Sequence, residues 1–258
     1  MANTEKLGDL KDTGAAENAK RNAYSDKLGD TNGEKGKLAR FYRENERMFN
    51  GIGIFILIVA ILAVVYFKVL APKWNSQAAE AAQPAIASAV QNGMLSTDTA
   101  TLKAALDGNK DMEGFLSVIE SYDHPGLKTA RAAKFSLKYY AALCYMNMGQ
   151  NDDALDLLLQ MKKRDDYLWY ESQMLIGDLY DDKGEVDNAK KYYEKAIKGE
   201  TEFVAPIALW KMGMLCQREG NWSAAYDYYN TIKENYYERY QGMGVAKYYE
   251  RAKIKAGK

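Results

Sequence analysis

The chain has 258 residues, 35 basic and 35 acidic side chains, one His and two Cys. A zero net charge argues against a general nucleic-acid binder, which carries a basic excess. A hydrophobic fraction of 47% excludes wholesale disorder, and two Cys exclude a disulfide scaffold or a Cys-based zinc site.

Residues 1–36 are rich in Asn, Asp, Gly and Lys and are expected to form a disordered cytoplasmic tail. Lys6-Leu7-Gly8-Asp9 recurs as Lys27-Leu28-Gly29-Asp30, copies too short to be an architectural repeat. Over 37–50 an amphipathic pattern sets Leu38, Phe41, Tyr42, Met48 and Phe49 against Arg40, Arg43 and Arg47. That pattern predicts a juxtamembrane helix with its arginines near anionic headgroups.

A transmembrane helix is predicted over 51–71. No charge falls between Phe49 and Phe67, and Lys68 can reach outward to the headgroups. Tyr66, Phe67 and Trp74 sit where an interfacial aromatic belt belongs. A buried helix of a soluble core would show a polar face, and this run has none. A cleaved signal peptide would need a charged leader of nearly 50 residues, and no A-x-A site follows the run. Lys35, Lys37, Arg40, Arg43 and Arg47 precede the run, whereas only Lys68 and Lys73 follow it before Lys103. This asymmetry keeps the N-terminus in the cytoplasm and sends the C-terminal part across, into the periplasm in a bacterium.

Residues 72–110 open with seven Ala between Trp74 and Gln91 and are expected to form a helical stalk, with Pro84 kinking or restarting it and Asn92-Gly93 stopping it. Beyond it the sequence repeats. Gly149, Gly184 and Gly220 are 35 and 36 residues apart. Seven residues before each stands Ala142, Gly177 or Gly213; five after stands Ala154, Ala189 or Ala225. Four further on are Leu158, Tyr193 and Tyr229, and four before each turn Gly are Tyr145, Tyr180 and Cys216.

This spacing resembles the tetratricopeptide repeat (TPR), in which each unit is a pair of antiparallel helices with a period near 34. Small residues let the helices approach, bulky ones fill the gaps, and the turn Gly supplies a positive φ. The units fall at about 135–168, 170–203 and 206–237. Lys138, Gln173 and Leu209 replace the family's early Trp, and Asp166, Thr201 and Tyr237 its final Pro. A degenerate unit at Asp111–Tyr122 places Gly114 at the crossing and Val118 at the bulky position. Residues 238–256 are expected to form one capping helix carrying Tyr240, Met243, Tyr248 and Ala252 on one side. The expected fold is all-α: one N-terminal transmembrane helix, then a TPR solenoid over 111–258.

The TPR resemblance implies a partner-binding groove formed by the first helix of each unit. It maps to Tyr139, Leu143, Met146 and Asn147; to Glu171, Met174, Asp178, Asp181 and Asp182; and to Ile207, Trp210, Met214, Gln217 and Arg218. These positions lack a Lys/Arg/Asn cluster to clamp a C-terminal carboxylate. They form an apolar, Met-bearing surface with an acidic centre, suited to varied apolar peptides; the competing account is that the same residues are packed core. The late tyrosines Tyr226, Tyr228, Tyr229, Tyr236, Tyr237, Tyr240, Tyr248 and Tyr249 pose the same choice between interior packing and a partner surface. No catalytic constellation, metal site, phosphate loop or dinucleotide fingerprint is present in the sequence. His124 reads as a turn residue, and Cys144 and Cys216 as two buried thiols.

The order of tail, entry helix, anchor, stalk and stack, with Leu38-Ala39-Arg40-Phe41-Tyr42-Arg43-Glu44-Asn45 before the anchor, resembles the bacterial inner-membrane TPR proteins related to the ancillary subunit of the Sec translocon. The resemblance implies a non-enzymatic adaptor; from charge balance and the lack of motifs, no cofactor, metal, nucleic acid or small-molecule substrate is expected. Its partners would be the translocon, a chaperone or a secreted polypeptide, and one helix would sit in the lipid bilayer. The competing class is a signal-anchored TPR receptor or scaffold with its repeats in the cytosol, such as an organelle import receptor.

Overall fold

The computed structural model describes residues 41–258, apart from 43 and 125–127. The tail, the first turn of the entry helix, and the flanking Lys35, Lys37, Arg40 and Arg43 therefore lie outside the described residues. Two compact units are present, up to Tyr66 and from Phe67 onward.

In the first unit, α1 is Glu46–Val65. Tyr42 stacks on Phe49 at 4.3 Å, and Phe41 meets the same ring edge-on at 5.7 Å. None of the α1 residues is buried. Among the described residues, one continuous helix, Glu46–Ala89, is long and apolar enough to cross a membrane. Phe55, Leu57, Ile58, Ile61 and Leu62 all face outward, so no polar side would satisfy water.

The second unit opens with a π-helical turn, Tyr66–Leu70 in its full extent, followed by α2, Ala71–Ala89. Here the structure corrects the expected stalk. Ala78, Ala82, Ala85 and Ala89 recur at helical spacing along one stripe and are at most 1% exposed. They share a core with Leu102 and Leu106 of α3 (Thr99–Asp107), Phe115 and Val118 of α4 (Phe115–Ser121), and Leu137, Ala141 and Cys144 of α5 (Arg131–Asn147). Methyl-sized side chains let the helix backbones approach closely, so α2 is the first layer of the folded unit. The expected boundary at 110/111 falls inside this one core.

Pro84 sits within α2 on its exposed side, where the carbonyl four residues earlier, that of exposed Glu80, can turn to water. Asn92 and Gly93 do not stop the helix, which ends at Ala89 where Val90 turns extended; they form the turn that follows. Both have positive φ, 51° and 75°, and reverse the chain between β1 (Val90–Gln91) and β2 (Met94–Leu95). Gly114 is not at a helix crossing. It caps the start of α4, and its Cα lies so close to the backbone of Leu106 and Gly108 that no side chain fits. His124 lies in β3 (Asp123–His124), paired with β4 (Lys128–Thr129); the rest of the expected turn, 125–127, lies outside the described residues.

Three helical hairpins follow: α5 with α6 (Asn151–Leu159), α7 (Tyr167–Asp182) with α8 (Val186–Ile197), and α9 (Val204–Arg218) with α10 (Trp222–Asn235). Gly149, Gly184 and Gly220 each adopt φ +76°. In each turn the residue after the Gly donates its N–H to the carbonyl of Tyr145, Tyr180 or Cys216, closing a Schellman motif. At the crossings, a Cβ on Gly177 would lie 2.5 Å from the Tyr193 ring, and one on Gly213 would collide with Tyr229. In the first hairpin the same two places hold Ala142 and Leu158, both fully buried. A larger crossing residue is accommodated where the facing residue is smaller.

The expected single capping helix is two: α11 (Tyr237–Gly242) and α12 (Ala246–Ala256). Gly244 takes φ 64°, and Val245 donates to the Tyr240 carbonyl, the same turn as in the hairpins. The chain folds back here and buries Val245, Tyr249 and Ala252 against Tyr229 and Ile232 of α10.

Candidate functional site

The first helices of the hairpins, α5, α7 and α9, carry the residues expected to line the groove. The structure separates positions packed into the fold from an acidic centre.

Tyr139 and Met174 are core residues, 7% and 8% exposed; Leu143 and Met146 are half-buried against the same interior as Tyr139. Asn147 is exposed and donates from Nδ2 to the Ser96 carbonyl at 2.7 Å, tying α5 to the segment after β2. Trp210 is half-buried with Tyr248 edge-on at 5.7 Å, and its Nε1 is a buried donor without an acceptor. Met214 and Gln217 are half-buried, and Gln217 Nε2 donates to the Tyr229 hydroxyl.

The acidic centre is largely engaged from within. Asp178 accepts from the Tyr193 hydroxyl at 2.7 Å and pairs with Lys211 at 2.8 Å; Asp181 pairs with Arg218. Both ion pairs join α7 to α9, and two more, Lys183–Asp152 and Lys190–Glu219, each at 2.5 Å, join neighbouring hairpins. The hydroxyls of Tyr139 and Tyr167 hydrogen-bond to Glu171, which is half-buried. Burial raises its carboxyl above the ordinary range, and the two tyrosine hydrogen bonds pull the other way. Asp182 remains exposed.

Sequence reasoning missed an aromatic cradle at the end of this face. A cavity of about 570 Å³ is lined by Phe203, Tyr236, Tyr237, Arg239 and Met243, among others. Arg239 lies over the Phe203 ring at 4.0 Å, and its charge reaches Tyr167. Phe203 and Tyr237 are more than half exposed. The sequence offered Tyr236 and Tyr237 only as members of a late tyrosine cluster and gave no signal for Phe203 or Arg239. The other seven late tyrosines are buried or half-buried, so packing accounts for them.

Cys144 and Cys216 are buried free thiols. Burial pushes Cys144 up to about 11 and also raises Cys216, so both stay protonated and unreactive at neutral pH. Among the described residues, no group of three or more His, Cys, Asp or Glu is placed to hold a metal ion.

Comparison with known families agrees with the helical hairpins. Two models described as tetratricopeptide repeat match, over residues 136–165 and 170–198. These matches cover the first two hairpins; the third shares their turn and crossing geometry. No curated protein matches the chain, and neither does any solved structure.

Proposed function

We propose that this tetratricopeptide-repeat protein is a membrane-anchored, non-enzymatic adaptor of the cell envelope that holds partner proteins during translocation or folding. Tetratricopeptide repeats form protein–protein interaction modules, and two are matched here. The observation that carries the membrane part of the reading is the apolar helix. No residue of α1 is buried, and leaving one large apolar side chain in water forgoes roughly 1.5–3 kcal/mol. A bilayer supplies the missing apolar surroundings. The orientation rests on the basic excess before the helix, with the tail cytoplasmic and the repeats on the far side, in a bacterial periplasm. The similarity of the 38–45 segment and of the layout to the Sec-accessory proteins supports translocation as the setting. The partner face runs along α5, α7 and α9 and ends at the Phe203–Tyr237–Arg239 cradle.

Topology is tested by reporter fusions after Lys258. A periplasmic-only reporter should be active and a cytoplasmic-only one silent; the reverse pattern would establish the signal-anchored receptor with cytosolic repeats. Affinity purification from solubilised membranes should recover secretion or envelope components. Replacing Phe203 and Tyr237 by Ala should lose them, and recovery of none would overturn the translocation setting.

A further inference from the structure

A second cavity, of about 420 Å³, lies at the start of α5. Arg131, Lys134 and Lys138 of α5 line it together with Lys162 and Arg164 of the loop after α6. Its lining contains no carboxylate. The floor is apolar: Phe135 and Met161 are buried, with Arg164 stacked over the Phe135 ring at 4.8 Å. Lys138 is 8% exposed and donates to Gln160 Oε1 at 2.8 Å in the wall of the cavity. Arg164 also pairs with Asp166 at 2.8 Å, just outside the lining.

The position of this cavity along the chain matters. Asn75 Oδ1 accepts the backbone N–H groups of Ala132 and Ala133, at 3.0 and 3.3 Å, and so fixes the start of α5 beside the first turn of α2. Asn75 lies only four residues beyond Ala71, where the expected span ends. At a helical rise of 1.5 Å per residue this is roughly 6 Å, about the depth of the headgroup layer.

The geometry points to this cavity as a site for the headgroup of an anionic phospholipid, with its phosphate among the cations and its glycerol and upper acyl carbons over Phe135 and Met161. The inference rests on the reading of the apolar helix as a membrane span. An acidic peptide would match the charge, but the short tether to the bilayer surface and the apolar floor favour a lipid.

The test uses the full chain in non-ionic detergent with ¹³C-methyl methionine, and the Met161 methyl as the local reporter. Water-soluble dihexanoyl phosphatidylglycerol should shift that signal saturably, and dihexanoyl phosphatidylcholine should not. Each cation near an anionic surface contributes about a fivefold gain in binding, so Lys134→Gln, Lys162→Gln and Arg164→Gln together should weaken it roughly a hundredfold. Circular dichroism checks the fold of this variant. If it is disturbed, Arg131→Gln with Lys162→Gln, both exposed, should still weaken binding by more than tenfold. Equal shifts with phosphatidylcholine, or unchanged affinity in the variants, would overturn the site. Inorganic phosphate acting as strongly as the lipid would make it a free-anion site, and a Glu-rich peptide binding more tightly would make it a protein site; either result overturns the proposal. Alkaline extraction of membranes is scored separately. A chain that is released while still binding lipid defeats the anchor but leaves the site, whereas a retained chain without lipid binding defeats the site alone.

Discussion

Gly177→Ala should destabilise the stack even though alanine is the better helix former. In a helix interior, Ala gains about 1 kcal/mol over Gly. At this crossing the new methyl would sit 2.5 Å from the Tyr193 ring. Tyr193 is 1% exposed, and its hydroxyl is held by Asp178, which Lys211 holds in turn, so the ring has no room to withdraw. Overpacking of a fixed core costs about 1–3 kcal/mol, and a pinned ring belongs at the upper end. The net expectation is about 2 kcal/mol of destabilisation, or roughly 4–8 °C in melting temperature for a unit of this size. Tyr193→Leu alone should cost roughly 2–3 kcal/mol through a lost hydrogen bond and a cavity. Combining the two recreates the Ala142–Leu158 pair of the first hairpin, so the double variant should be no worse than Tyr193→Leu. That is a favourable coupling of at least about 2 kcal/mol, the whole cost of Gly177→Ala alone. Thermal melts of the full chain in detergent, followed by circular dichroism, measure all three. A Gly177→Ala protein as stable as the parent, or a strictly additive double variant, would refute the size-complementarity account.

Three further outcomes are expected. Gly184→Ala meets nothing within 4 Å, so its cost should be that of the left-handed backbone alone, about 1–2 kcal/mol, with Gly184→Asn milder; equal melts for the two would contradict this. Ala85→Leu, in the fully buried stripe of α2, should lower the melting temperature by overpacking of about 1–3 kcal/mol, whereas a free stalk would not respond. The carboxyl of Glu171 is raised by burial, so its folded form holds a proton more tightly than the unfolded chain does. Its most favourable contribution is therefore present below the ordinary carboxyl range and is lost as pH rises through the raised value. Glu171→Gln should melt higher than the parent at pH 7, with the difference fading towards pH 4; a constant difference across that range would count against the burial effect.

The hairpins were legible because their signals are local and recur. A Gly at each turn answers a backbone demand for positive φ, and small-to-large spacing along a helix reports a crossing without knowledge of the partner. The α11–α12 break carried the same signal, Tyr240 four before Gly244, but at a distance of 24 residues rather than 35 or 36 from the preceding turn Gly. A search for a fixed period passes over it. The α2 stripe was present as seven Ala, but counting them concealed that four share one face, and nothing local to α2 shows that α3, α4 and α5 cover it.

The groove was legible as a set of helix positions and not as a surface. Asp178 and Asp181 read as an acidic centre until Lys211 and Arg218, 33 and 37 residues later, are brought beside them. The cradle at Phe203 and Tyr237 and the basic cavity join residues from separate helices and loops in the same way. The sequence by itself determined the three hairpins, the glycines at which they turn, and which single run suits a membrane, since each depends on neighbours within a few residues. Only the tertiary structure decided which charges are neutralised, which aromatics stay exposed and which alanines form a core, because burial and pairing depend on segments that the chain order keeps far apart.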